Sequence, residues 1–146
     1  MFQRLLVPTD PDEAEPDVAE YAFRLADTFN AEVHLLSVTE APQQRDQLRT
    51  DHQEEVERML TDIAQRGSDR LTVHEHVRKG VAEEEIITAV RELNADLIVM
   101  GTQGRTGFDK LLLGSVAESV IEESPVPVLT VTPEAELPGW QSTQPT

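Results

Sequence analysis

The order of apolar segments predicts an α/β protein, an open parallel sheet of five strands with helices on both faces. Short runs of branched apolar residues alternate with longer stretches of helical periodicity, and that alternation leaves few arrangements other than right-handed strand–helix–strand crossovers. The run Leu97-Ile98-Val99-Met100 has no polar interruption, as expected of a strand buried on both faces. It ends in the glycine-rich stretch Gly101-Thr-Gln-Gly104-Arg-Thr-Gly107, which marks the carboxyl edge of a sheet, where open α/β folds collect ligands.

Each element has its own signal. Residues 2–8 read as the first strand, with Leu5-Leu6-Val7 at its centre. Pro16-Asp17 opens a helix whose inner face carries Ala19, Ala22, Phe23, Ala26 and Phe29, and Asn30 ends it. Residues 32–38 form the second strand, and a polar connection over 39–46 leads to a long helix with Leu48, Val56, Met59, Leu60 and Ile63 inward. Gly67-Ser68 stops that helix. Residues 71–77 alternate as a less buried strand would, and 82–93 form a helix on Ile86, Ile87 and Val90. The fourth strand covers 96–100, a helix after the glycine stretch runs to about Glu123, and residues 126–131 form the fifth strand. Residues 1–131 make one domain; 132–146, with Pro133, Pro138, Gly139 and Pro145 and no periodicity, read as a tail whose Leu137 and Trp140 could pack on the body or a partner.

The 146 residues suffice for one full core and are too few for two ordinary domains. There is no cysteine, which excludes disulfides and thiolate chemistry. No apolar run approaches membrane-spanning length, and the amino terminus has no signal-peptide pattern, so a cytoplasmic protein is expected. A net charge of -16, from 28 acidic and 12 basic side chains, disfavours nucleic acid and anionic membranes as partners. The same excess suits a high-salt cytoplasm, where screening relieves self-repulsion, although an ordinary acidic protein has the same composition. Of the four histidines, His34 falls in a strand and His52 in a polar helix, while His74 and His76 share a strand face. That pair could hold a metal with a third ligand from elsewhere, but solvent-facing strand positions are the favoured reading, and no protein metal site is assigned.

The chemistry-bearing segment is Gly101 to Val116. Glycines remove the Cβ atoms that would keep a phosphate from backbone N–H groups, and Gly114-Ser115 precedes the helical run Val116, Val120, Ile121, with Ser115 able to cap it or touch an anion. The spacing matches neither common nucleotide fingerprint: there is no Gly-Lys-Ser/Thr ending, and the first strand ends in Pro8-Thr9-Asp10 rather than a glycine turn. Thr9-Asp10 is a second polar strand end available to the same crevice.

These residues resemble the universal stress protein family, specifically its ATP-binding branch. The motif of that branch is Gly, two residues, Gly, nine residues, Gly and then Ser or Thr; here it stands as Gly101, Gly104, Gly114 and Ser115. The resemblance extends over residues 5–10, Gly80, residues 94–101 and Ser124-Pro125-Val126-Pro127-Val128-Leu129. It implies the strand order 3-2-1-4-5, with ATP beside strands 1 and 4; magnesium is expected to aid the triphosphate. It also implies that Asp10 accepts from the ribose hydroxyls, consistent with an ionised carboxylate taking both protons, and that Pro8, Thr9 and Val38 border the adenosine. Met100 belongs to the same implied set. Gly101 and Gly104 would admit sugar and phosphates; Gly114, Ser115 and Val116 would offer donors; Arg105 would approach the phosphate end. This sequence departs from the pattern in Gln103, where a histidine is usual, and in the acidic loop Pro11-Asp-Glu-Ala-Glu-Pro16, whose carboxylates oppose a triphosphate unless magnesium or salt offsets them.

No hydrolytic set is evident: Asp10 at a ribose is misplaced to activate water at a γ-phosphate, and no Ser/His/Asp order is present. The expectation is an ATP-binding stress or regulatory protein, hydrolysing ATP slowly at most; the alternative is a nucleotide-free dimeric interaction or chaperone-like protein. Val126, Val128, Leu129 and Val131 make an apolar sheet edge, which family members commonly pair across a two-fold axis, so a homodimer through the fifth strand is expected, centred after Pro127.

Overall fold

The computed structural model describes residues 1–10, 16–39, 46–102 and 114–132. Its elements run β1 (Arg4–Pro8), α1 (Pro16–Phe29), β2 (Glu32–Thr39), α2 (Asp46–Gln65), β3 (Val73–Lys79), α3 (Ala82–Leu93), β4 (Leu97–Gly101), α4 (Ser115–Glu123) and β5 (Val128–Val131). The strands form one parallel sheet in the order β3-β2-β1-β4-β5, as the resemblance implies. The chain winds outward from β1 through β2 to β3, then returns to the other side of β1 for β4. The sheet therefore has its topological switch between β1 and β4, the position at whose carboxyl edge open α/β sheets generally bind ligands.

Strand alternation divides the core between the two faces. Leu5, Val7, Val33, Leu35, Leu97 and Val99 pack with Ala19, Ala22, Phe23 and Ala26 of α1 and Leu60 and Ala64 of α2. Leu6, Leu36, Ile98 and Met100 pack with Ile86, Ala89 and Val90 of α3 and Ala117 and Val120 of α4. Because successive side chains point to opposite faces, the central strands must be apolar throughout, and Leu5, Leu6 and Val7 are all fully buried.

Polar residues fix the ends of these layers. Asn30 and Asn94 adopt left-handed conformations, φ 57° and 54°, and the following amides return to the helices they close: Ala31 donates to the Ala26 carbonyl at 2.9 Å and Ala95 to that of Val90 at 3.0 Å. The Asp96 carboxylate accepts from the amides of Gln3 and Arg4 at 2.8 and 3.1 Å, aligning the amino ends of β1 and β4. Gly67 lies against the Phe23 ring so closely that a Cβ there would sit 2.8 Å from a ring carbon.

Several strand limits differ from those expected. β1 begins at Arg4 rather than Phe2, where pairing with Glu32 begins. β3 is shifted to Val73–Lys79 because its partners run from Val33 to Thr39, a register that alternation in one strand cannot reveal. β5 begins at Val128, since Pro125 and Pro127 have no amide to donate, although the Pro127 carbonyl still accepts from Ile98 at 3.0 Å. Among the described residues no helix is long and apolar enough to cross a membrane.

Candidate functional site

At the carboxyl edge, β1, β4 and the start of α4 converge. The pairs Leu5–Leu97 and Leu6–Ile98 set the register of β1 on β4, which brings Pro8 level with Met100. Beyond Pro8, the Thr9 amide donates to the Leu36 carbonyl at 2.7 Å and its hydroxyl to the Val7 carbonyl at 3.0 Å, so the turn out of β1 is held while Asp10 is exposed. On the other side of the switch, the Thr102 amide donates to Val131 at 3.2 Å and the Gly114 amide to the Thr102 carbonyl at 2.6 Å. The first holds the end of β4 on β5, and the second ties the amino end of α4 to the end of β4.

Gly114 is the residue before the first turn of α4, in extended conformation at φ -70° and ψ 157°, and no side chain caps the helix. Ser115 is instead the exposed first helical residue, which corrects the expectation that it could serve as cap. The first intrahelical bond runs from the Glu118 amide to Gly114 at 3.0 Å, so the amides of Ser115, Val116 and Ala117 precede the helical ladder. Amides in that position, with the positive end of the helix dipole behind them, attract anions.

Of the expected site residues, Pro8, Thr9, Val38, Gly101, Gly114 and Val116 are half-buried, and Asp10 and Ser115 are exposed. Met100 is only 5% exposed, its side chain in the core beneath α3 and α4. Gly104 and Arg105, with Gln103 and the acidic loop after Asp10, lie outside the described residues.

A second polar cluster occupies the opposite, amino-terminal end of the strands. His34 on β2 is 6% exposed and stands directly across from His74 on β3. Its Nε2 meets the Glu32 carboxylate at 2.8 Å and its Nδ1 meets His76 Nε2 at 2.9 Å. The His34 and His74 rings stack at 4.5 Å, and Arg4 Nε lies 3.3 Å from the same Glu32 oxygen. The hydrogen bond from His34 is the main influence holding the Glu32 carboxyl below the ordinary carboxylate range, helped by the charges of His34, Arg4 and His74 and opposed by burial. Burial first, then the charges of His34, Arg78 and His74, push His76 below the ordinary imidazole value. His76 is thus partly buried against its neighbours rather than solvent-facing. The cluster was not legible as a unit because Glu32 and His34 lie some forty residues from their partners on β3; the spacings Glu32-x-His34 and His74-x-His76 were its only trace.

Known proteins share this architecture. The universal stress protein family model matches residues 1–132. Universal stress protein MJ0531 of Methanocaldococcus jannaschii is 32% identical over 143 residues, covering 90% of this chain and 82% of that protein. The solved structure of MJ0577, from the same organism, superposes with a TM-score of 0.75 at 31% identity, covering 90% of this chain and 96% of that one. A universal stress protein from Archaeoglobus fulgidus, solved in complex with dAMP, superposes at 0.66 with 20% identity, covering 90% and 98%; that likeness concerns the fold alone. By the family-model match along residues 1–132 and the 32% identity to MJ0531 over most of both chains, the chain belongs to the universal stress protein family.

Proposed function

We propose that this protein binds ATP, with magnesium on the phosphates, and acts in a stress response as a nucleotide-dependent regulator. The observation that carries the reading is the seating of the α4 amino terminus on the end of β4, one strand from the exposed Asp10 at the end of β1. A carboxylate and a set of helix-terminal amides at one sheet edge match the two ends of a nucleotide: hydroxyls for the first, phosphates for the second. Asp10 would take the ribose, with Pro8, Thr9 and Val38 beside the base. Gly101, Gly114, Ser115 and Val116 would take the phosphates, joined by Gly104 and Arg105. Magnesium would supply charge compensation on the phosphates, which this acidic chain needs more than a neutral one.

Extraction of the undialysed protein followed by mass analysis, then calorimetric titration with Mg-ATP at several salt concentrations, tests this reading. Recovery of adenine nucleotide and saturable binding are expected, weakened by Asp10→Asn. Absence of binding at every salt concentration would reject it in favour of a nucleotide-free interaction protein. ATP turnover is expected to be slow, since an acid at the ribose is remote from the γ-phosphate; many cycles per second from purified protein would contradict this.

A further inference from the structure

We propose that Glu32, His34 and His74 form a binding site for a divalent transition metal of the zinc class, at the end of the sheet opposite the nucleotide crevice. One ligand atom from each of these residues lies within 4.8 Å of the others. Tetrahedral zinc with bonds of about 2.0–2.1 Å needs its ligand atoms somewhat closer, at roughly 3.4 Å, so the exposed His74 ring, now stacked on His34 at 15° from parallel, would turn to bring its nitrogen into the site. His34 Nε2 and the Glu32 carboxylate have already converged, at 2.8 Å.

The backbone prepares the set. Glu32 and His34 are two apart on β2 and therefore share a face, and His74 is the register partner of His34 on β3. All three ligands are strand residues whose spacing is fixed by the sheet ladder, so little chain ordering accompanies binding. His34 also has an outer hydrogen-bond partner: with Nε2 on the metal, Nδ1 would carry the proton and donate to His76 Nε2, 2.9 Å away. In the metal-bound state that bond would hold the tautomer and the ring plane. Arg4 Nε, 3.3 Å from the same Oε1 that meets His34 Nε2, would orient the Glu32 carboxylate. His74 is exposed and leaves an entry path, and three protein ligands leave a coordination position for water. Two imidazoles and one carboxylate suit zinc and its neighbours, not magnesium or calcium, which take oxygen ligands.

The test is calorimetric titration of metal-free, full-length protein with Zn²⁺ in a non-coordinating buffer containing excess Mg²⁺. About one Zn²⁺ per chain is expected, with a rise in melting temperature, and Co²⁺ should give the intense visible absorption of a low-coordinate nitrogen–oxygen site. His74→Ala, at an exposed position, and Glu32→Gln should each weaken Zn²⁺ at least roughly tenfold with an unchanged circular dichroism spectrum, while His52→Ala on α2 should not. Absence of saturable Zn²⁺ binding by the unmodified chain would overturn the proposal. So would binding that persists undiminished in folded His74→Ala and Glu32→Gln, since the metal would then lie elsewhere.

Discussion

Gly114 carries the most direct test of the nucleotide site because its backbone, at φ -70° and ψ 157°, is open to any residue. Gly114→Leu should therefore keep the fold, by circular dichroism, while its side chain intrudes where phosphates would meet the α4 amides; a loss of at least about tenfold in ATP affinity by calorimetry is expected. Undiminished affinity in the folded variant would move the phosphates away from α4. Asn94 is the opposite case, a residue kept for its backbone. At φ 54° and ψ 42° an alanine is disfavoured, so Asn94→Ala should cost about 1 kcal/mol in urea denaturation and Asn94→Gly much less. Equal stabilities for the two variants would show that the asparagine serves through its side chain instead.

Between elements, close packing decides how much change is tolerated. Gly67 joins α2 to β3 while touching the Phe23 ring of α1, and a methyl group there would meet three ring carbons at 2.8–3.0 Å. Phe23 is itself 6% exposed and has little room to retreat, so Gly67→Ala should destabilise by about 1–3 kcal/mol in denaturant melts. A change within a few tenths would mean that α1 shifts readily on the sheet. The β5 edge raises a different question. Among the described residues β5 pairs only with β4, and Leu129 is 37% exposed on this last strand. Pairing with the same strand of a second copy would cover that edge, so light scattering at micromolar concentration should give a dimer mass, and Leu129→Lys should shift it toward monomer. A monomer mass for the unmodified protein at both low and high salt would count against the arrangement.

For the whole molecule the dominant physical fact is a net charge of -16. Like charges confined to one folded domain repel, and added salt shortens the range of that repulsion to about 3 Å at 1 M. The melting temperature should therefore rise between dilute and molar potassium chloride. A flat response would show that ion pairs such as Arg78 with Glu92, 2.7 Å apart, and Arg70 with Asp27, at 3.1 Å, already distribute the charge acceptably.

The amino-acid sequence alone determined the number, type and order of the elements, because each strand and helix must bury an apolar face and periodicity reports that face directly. It also carried the glycine and serine spacing before α4 and the polar end of β1, since both are local patterns. The tertiary structure decided what depends on register and long-range contact. Pairing of β3 with Val33 to Thr39 set that strand's limits, and Gly114, bonded to the Thr102 carbonyl, rather than Ser115 holds the capping position before α4. Met100 reads as buried from its apolar run, but which face it takes depends on the sheet: its side chain packs with α3 and α4, alternating with Val99 on the other face. The cluster of Glu32, His34, His74 and His76 arises only when β2 and β3 align, for hydrogen-bonded neighbours in a parallel sheet lie a whole helix apart along the chain.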